Sequence, residues 1–482
     1  MYKFGNILIG KNELNEATLL LNKANRHGLI TGASGSGKTI TLKVLAEGFS
    51  EAGVPVFLSD VKGDLAGTIK EGIINDNIKS RINTLNIEDF KTQKFPVTFL
   101  DVYGKNGCNV RTTVKSIGSK LLSKMLNLTD TQGYVLAIAF KIAKDEEFDL
   151  IDLNDLKAML TYIGEKRKEY SLTYGNVTLQ SIGSIQRNIL SLQEEGGDFF
   201  FGLPAFSIKD LIHFDVNTGF GNINIFDAQT LFQKPTLYAT FMLWMLTTIY
   251  NEFPEIGDTE KPKLVLFFDE AHLIFNDMPE HLTKQIIQIV KLIRSKGVGI
   301  YFISQSPSDI PTEILSQLGN RIQHVLRSYT PTDEKAIKAA SDSFRKNPNF
   351  NTAEVISTLK TGEALISLQN EDGEPTIVDK YIIVPPQSMI GTITDIERDN
   401  YIKSTWLYGK YEEKLNYSST KDILKEKLKK EKEEPLKKSV SKKTTTKAKK
   451  STMEKATERV ITNTASSFGR KLGNSLFKNL FK

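Results

Sequence analysis

Short apolar runs and stretches of helically spaced apolar positions alternate along this chain. Runs with strand character fall at 4–10, 27–31, 54–60, 96–103, 221–228, 263–268, 300–305, 321–328, 362–368 and 376–384. Several are nearly continuous in Val, Ile, Leu and Phe, the pattern of strands covered on both faces. Helical spacing is found over 40–49, 237–253 and 286–293. Strands alternating with helices predict an α/β fold with a mostly parallel sheet. From 116 to 195 the spacing is helical throughout, with Leu121, Leu122, Met125, Leu126, Leu136 and Phe140 on apolar stripes. That stretch reads as an all-helical insertion.

The expected organisation follows. A short N-terminal segment (1–26) precedes the first part of the core (27–115). The helical insertion (116–205) interrupts it, and the second part of the core (206–410) completes the sheet. Residues 411–482 turn to Lys and Glu, then to Lys, Thr and Ser, and read as a disordered basic tail. Within it, 456–481 carry the spacing of a short basic amphipathic helix.

Between the run at 27–31 and the helix at 40–49 lies Gly32-Ala33-Ser34-Gly35-Ser36-Gly37-Lys38-Thr39. It fits G-x-x-x-x-G-K-[ST], the phosphate-binding loop of P-loop NTPases. The glycines let successive backbone N–H groups point at phosphate oxygens, and the helix start adds partial positive charge. Lys38 is expected on the β- and γ-phosphates of ATP, and the Thr39 hydroxyl on Mg²⁺. The run at 263–268 ends in Asp269-Glu270. Asp269 is expected to hold Mg²⁺, and Glu270 to activate the attacking water. Gln305 ends the next run, where it serves either as γ-phosphate sensor or as a plain turn residue. Asp60 and Asp64, after the run at 54–60, face a ligand crevice or merely form a turn.

The 482 residues are 40% apolar and 25% charged, ordinary for a globular protein. The single cysteine, Cys108, excludes an internal disulfide framework and suits a reducing compartment. Residues 1–10 lack the pattern of a signal peptide, and the longest apolar run is too short to span a bilayer. A cytoplasmic protein is expected. The net charge of +6 divides unevenly. Residues 421–482 hold 19 Lys and Arg against 7 Asp and Glu, or +12, leaving 44 against 50, or −6. Such a tail is a solvated extension, or is attracted to nucleic acid or an anionic membrane surface.

Order and wording of the motifs carry a resemblance. The phosphate loop lies near the N-terminus, followed by Phe267-Phe268-Asp269-Glu270-Ala271-His272, Ile293-Arg294-Ser295-Lys296-Gly297-Val298-Gly299 and Phe302-Ile303-Ser304-Gln305-Ser306-Pro307. Over 24–386 the chain resembles the HerA–FtsK branch of P-loop ATPases, and among them the bacterial HerA-like proteins of the YjgR type. The resemblance implies a RecA-like core assembled as a hexameric ring, a helicase or translocase on duplex DNA. It carries Gln305 over as sensor and Arg294 as the arginine finger, with Arg321 in reserve. It also implies an N-terminal β-barrel for which 26 residues are too few. Partnership with a NurA-type nuclease is therefore open.

Asp269-Glu270-Ala271-His272 also spells the DEAH-box signature. Those helicases need a second lobe in the same chain, and only about eighty residues of foldable sequence follow Gln305. The arginine is then expected from a neighbouring subunit. A nucleotide-dependent switch or scaffold, and a secretion-type ATPase, are the alternatives to a DNA motor.

Overall fold

Apolar strands need cover above and below, and the order of elements supplies it. The computed structural model describes residues 1–430 apart from 258, 277–279, 414 and 416. The basic tail beyond 430 and the amphipathic helix expected at 456–481 lie outside the described residues. Among the described residues the thirteen strands are β1 (Tyr2–Lys3), β2 (Asn6–Lys11), β3 (Glu16–Leu20), β4 (Gly28–Thr31), β5 (Val56–Asp60), β6 (Val97–Asp101), β7 (Cys108–Asn109), β8 (Ile223–Asp227), β9 (Leu264–Phe268), β10 (Val298–Ser304), β11 (Asn320–Gln323), β12 (Glu363–Ser367) and β13 (Asp379–Ile383). They form one sheet in the order β1-β2-β13-β12-β11-β4-β10-β9-β5-β8-β6-β7, with β3 on β2. From β11 to β7 all neighbours run parallel. From β12 outward to β1 and β3 they are antiparallel.

One face is covered by α1 (Lys38–Glu51). Its Leu42, Leu45 and Phe49 are buried among Ile7, Ile30, Phe267 and Tyr301. The helix lies so close to β2 that a Cβ on Gly48 would fall 2.3 Å from the Ile7 side chain. Next comes α2 (Asp76–Leu85). The helical insertion is present as α3 (Val114–Met125), α4 (Asp130–Asp145), α5 (Leu153–Glu165), α6 (Arg167–Tyr174), α7 (Leu179–Glu194) and α8 (Gly197–Phe200). Thr113, Thr129, Asp152 and Thr178 cap four of these by accepting backbone N–H bonds. The apolar helix α9 (Pro235–Glu252) covers the other face of the sheet. Phe241 stacks on Phe226 of β8 at 4.1 Å, and Trp244 meets Phe200 of α8 edge-on at 5.4 Å. A row of aromatic rings thus joins sheet, helix and insertion. Two helices follow β9, α10 (His272–Asn276) and α11 (Glu280–Ile293).

Two expectations need correction. The segment before the phosphate loop is more than one strand, because β1, β2 and β3 extend the sheet through β2–β13 pairing. The tail does not begin at 411. Tyr411 is buried and donates to Asp210, its carbonyl accepts from Arg111, and Ser419 and Thr420 bond Asp155 and the Asp149 carbonyl. These side chains tie Tyr411 to Arg111 and Asp210, and Ser419 and Thr420 to the insertion. Helices at Pro331–Asp342, Thr352–Thr358 and Asp395–Ser404 were not expected, since few apolar residues mark them. Their starts are set by the caps Thr330, Asn351 and Thr394.

His27 and His324 are buried in this core, and burial lowers both pKa values to about 4. His27 Nδ1 accepts the Ile300 N–H at 3.0 Å, so the ring is held neutral. Between pH 6.5 and 4 the unfolded chain takes up a proton that the folded histidine refuses, so stability falls as pH falls through this window. For each ring the loss between pH 7 and pH 5 is about 2 kcal/mol. A His27→Asn variant lacks that component. Its stability deficit relative to the parent should shrink by about that amount at pH 5, measured by urea unfolding at both pH values.

Candidate active site

The parallel half of the sheet brings four strand ends to one edge. β10 lies between β4 and β9, and β5 lies beyond β9. Residue pairs Thr31–Ser304, Phe302–Phe268 and Phe268–Ser59 put the segments after these strands side by side. Gly32 to Thr39, Asp60 to Asp64, Asp269, Glu270 and Gln305 all follow those ends.

The loop is shaped for an anion. Gly32, Gly35 and Gly37 have φ of +153°, +73° and +113°, and L side chains are strained in that region. A Cβ on Gly32 would meet His324 Cβ at 2.5 Å. Gly37 caps α1 without any side chain, which leaves the first helical N–H groups for a ligand. Lys38 Nζ donates to its own loop, to the carbonyls of Gly32 (2.6 Å) and Ala33 (3.1 Å). The Ser36 hydroxyl is buried with no partner among the described residues. Thr39 stands half-buried in the first turn of α1. Beneath the loop, His324 bridges the Thr41 hydroxyl (2.8 Å) and the Glu363 carbonyl (2.9 Å). That histidine was not anticipated from the sequence.

Unlike the exposed loop tip at Ser34 and Gly35, the acid pair is buried. Asp269 is 3% exposed; its Oδ1 accepts the Glu270 N–H, and its Oδ2 has no partner among the described residues. Burial, with Glu270 beside it, pushes its pKa up to about 7. A buried carboxylate left this way favours a cation. Glu270 has a left-handed backbone, φ +48°. Its Oε1 meets Lys62 Nζ at 2.5 Å, and its Oε2 lies 3.3 Å from His272 Nδ1. Burial pushes Glu270 up, but Lys62, Lys38 and His272 outweigh it and hold the carboxyl below its usual range.

The donors fit a nucleotide with a divalent cation: an uncapped helix start, an orphaned hydroxyl and an orphaned carboxylate oxygen face one edge. No cluster of three or more His, Cys, Asp or Glu among the described residues could hold a metal ion unaided. Phosphate oxygens would have to complete its shell.

A family model described as helicase HerA-like C-terminal matches residues 6–481. The chain belongs to the HerA-like helicase family. It is 24% identical over 388 residues to the DNA double-strand break repair helicase HerA of Sulfolobus acidocaldarius, an alignment covering 78% of this chain and 68% of that one. The corresponding helicase of Sulfurisphaera tokodaii is 25% identical, with 76% and 67% covered. Among solved structures, plasmid coupling protein TrwB with the GTP analogue GDPNP superposes with a TM-score of 0.52 at 16% identity, covering 80% of this chain and 90% of that one. That likeness shows a shared fold.

The remaining residues of this HerA-like site divide by position. Gln305 is exposed just past β10, beside the acid pair. Arg294 is elsewhere: it precedes β10, its charge bears on His27, and six strand steps of roughly 3.3 Å separate that end from the loop. Arg321 donates to the carbonyls of Leu318, Ser343 and Leu315 at 2.9–3.1 Å. Its guanidinium braces the start of β11 and is spent there. No helix among the described residues is long and apolar enough to cross a membrane.

Asp60 acts as a loop former. Its carboxylate accepts the N–H groups of Lys62 (3.2 Å), Gly63 (2.6 Å) and Leu65 (3.2 Å). Asp60→Ala leaves these donors without an acceptor in a buried turn, and should cost roughly 2–4 kcal/mol. Equilibrium urea unfolding of the variant checks this.

Proposed function

We propose that this chain is a Mg²⁺-dependent ATPase that works as a hexameric ring and moves along duplex DNA. The observation that carries the reading is the meeting of Lys38, Asp269, Glu270 and Gln305 at one sheet edge, while Arg294 lies beyond the other end of β10, about 20 Å away along that strand. The phosphates of ATP take the N–H groups of the loop, and Lys38 exchanges its loop carbonyls for the β- and γ-phosphates. Thr39 and Asp269 hold Mg²⁺, which supplies neutralising charge to those phosphates. Glu270 takes the proton from the attacking water, and Gln305 orients that water. Arg294 is too far to serve its own site, so it reaches the γ-phosphate of a neighbour. A closed cyclic arrangement gives every site such an arginine. The named activity of the curated relatives, DNA double-strand break repair helicase, supports DNA as the track.

Glu270→Gln should retain ATP and abolish turnover, and Lys38→Ala should weaken binding as well. Arg294→Ala should lower turnover by ~10³-fold or more. Mixing Arg294→Ala with Glu270→Gln subunits should restore activity, because some interfaces then join an intact base to an intact finger. Turnover unchanged in Glu270→Gln would sink the assignment. Absence of rescue at every mixing ratio, with a monomeric mass by light scattering, would sink the ring. ATPase activity that ignores duplex DNA would favour the switch or scaffold reading.

The tail adds charge to this proposal. The +12 carried by 421–482 stands against −6 elsewhere, so duplex affinity should fall steeply with salt, at a log–log slope of about −0.9 per phosphate contacted. Deleting 422–482 spares the clip at 411–421, and should flatten that slope while leaving basal ATPase intact. Unchanged DNA binding with lost association to anionic vesicles would assign the tail to a membrane surface instead.

A further inference from the structure

The proposed mechanism makes no use of Lys62, and the geometry around it is built. Its backbone is fixed by the Asp60 carboxylate, which accepts the N–H groups of Lys62, Gly63 and Leu65. Gly63 has φ +77°, and a Cβ there would meet the Gln229 amide at 2.6 Å. A residue anchored this firmly projects a long side chain across the end of β9. The contact is lopsided: the Lys62 side chain is 44% exposed, whereas the Glu270 side chain it reaches is 7% exposed. One partner is free to swing and the other is not.

That pairing has a consequence for Glu270. A carboxylate paired with an ammonium 2.5 Å away is a weaker base towards a water hydrogen, because the cation stabilises its ionised form. The other oxygen faces the His272 ring at 3.3 Å. The pairing with Lys62 therefore weakens Glu270 as a base. Lys38 and Lys62 approach the acid pair from β4 and β5, on either side of β10 and β9, and each bears on the other's charge. Lys38 likewise spends its donors on loop carbonyls. Both cations thus hold provisional partners around one space. A terminal phosphate entering that space brings more negative charge than the single carboxylate it competes with.

We infer that Lys62 is a positioning residue that exchanges partners, holding Glu270 when the site lacks a terminal phosphate and turning to that phosphate when a nucleoside triphosphate binds. Release of the base is thereby tied to the presence of the γ-phosphate, and the site distinguishes triphosphate from diphosphate. The inference rests on Glu270 being the base.

The test separates the two. In the full-length Glu270→Gln chain with Mg²⁺, ATP and ADP affinities are measured with and without Lys62→Met. The lysine substitution should weaken ATP roughly tenfold or more, the scale of a charged hydrogen bond, and leave ADP unchanged. Lys62→Arg in the same background should keep most of the preference for ATP. With Glu270 intact, Lys62→Met should raise KM for ATP by a similar factor while kcat stays at or above the parent value. Lys62→Gln provides a second variant should the methionine impair folding, which melting curves report. ATP and ADP weakened equally would make Lys62 a structural brace and overturn the inference. So would an unchanged ATP preference, or a collapse of kcat at unchanged KM. If Glu270→Gln itself still turns over, the base assignment fails first, and that result is visible before any lysine variant is compared.

Discussion

Parallel strands end at the same edge, and this protein's chemistry depends on that geometry. β4, β10, β9 and β5 run side by side in register, so four segments distant in sequence open onto one line of space. Residues 32–39, 60–64, 269–270 and 305 meet for that reason. The same geometry removes Arg294, which sits where β10 begins. Distance along β10, rather than any local feature of the arginine, separates it from that edge.

Burial supplies the second condition. Asp269 and Glu270 are nearly out of water, where like charges repel strongly. Lys38 and Lys62 face this pair from flanking strands and keep Glu270 ionised, while Asp269 retains an oxygen without a partner. The site thus stores unmatched charge of both signs, loop N–H groups on one side and a carboxylate on the other. A nucleotide with its cation answers both.

The phosphate loop is held from below as well as by its own glycines. Val325 accepts the Ala33 N–H, Gly362 donates to the Ser36 carbonyl, and His324 links Thr41 to Glu363. The antiparallel strands beyond β11 therefore support the loop, and the N-terminal strands β1 to β3 support them in turn. Strands at the far end of the sheet reach the site only through this chain of contacts.

The core strands and α1 were legible because continuous apolar runs and a glycine-rich turn are local signals. Gly32 to Thr39 and Asp269-Glu270 were legible because their chemistry demands those residue types at those spacings. Lys62 and His324 were not, since a lysine in a turn and a histidine in a strand carry no local mark of what they will face. The clip at 411–421 was missed for a related reason: its composition is that of a linker, and its anchors on Asp149, Asp155 and Asp210 lie over 200 residues upstream. The sequence by itself determined the family, the α/β class and the place of the glycine-rich loop between β4 and α1. Only the tertiary structure decided which cations face the buried acids, because an ion pair between residues 62 and 270 depends on β5 and β9 lying side by side, and pairing between distant strands is written in no local pattern.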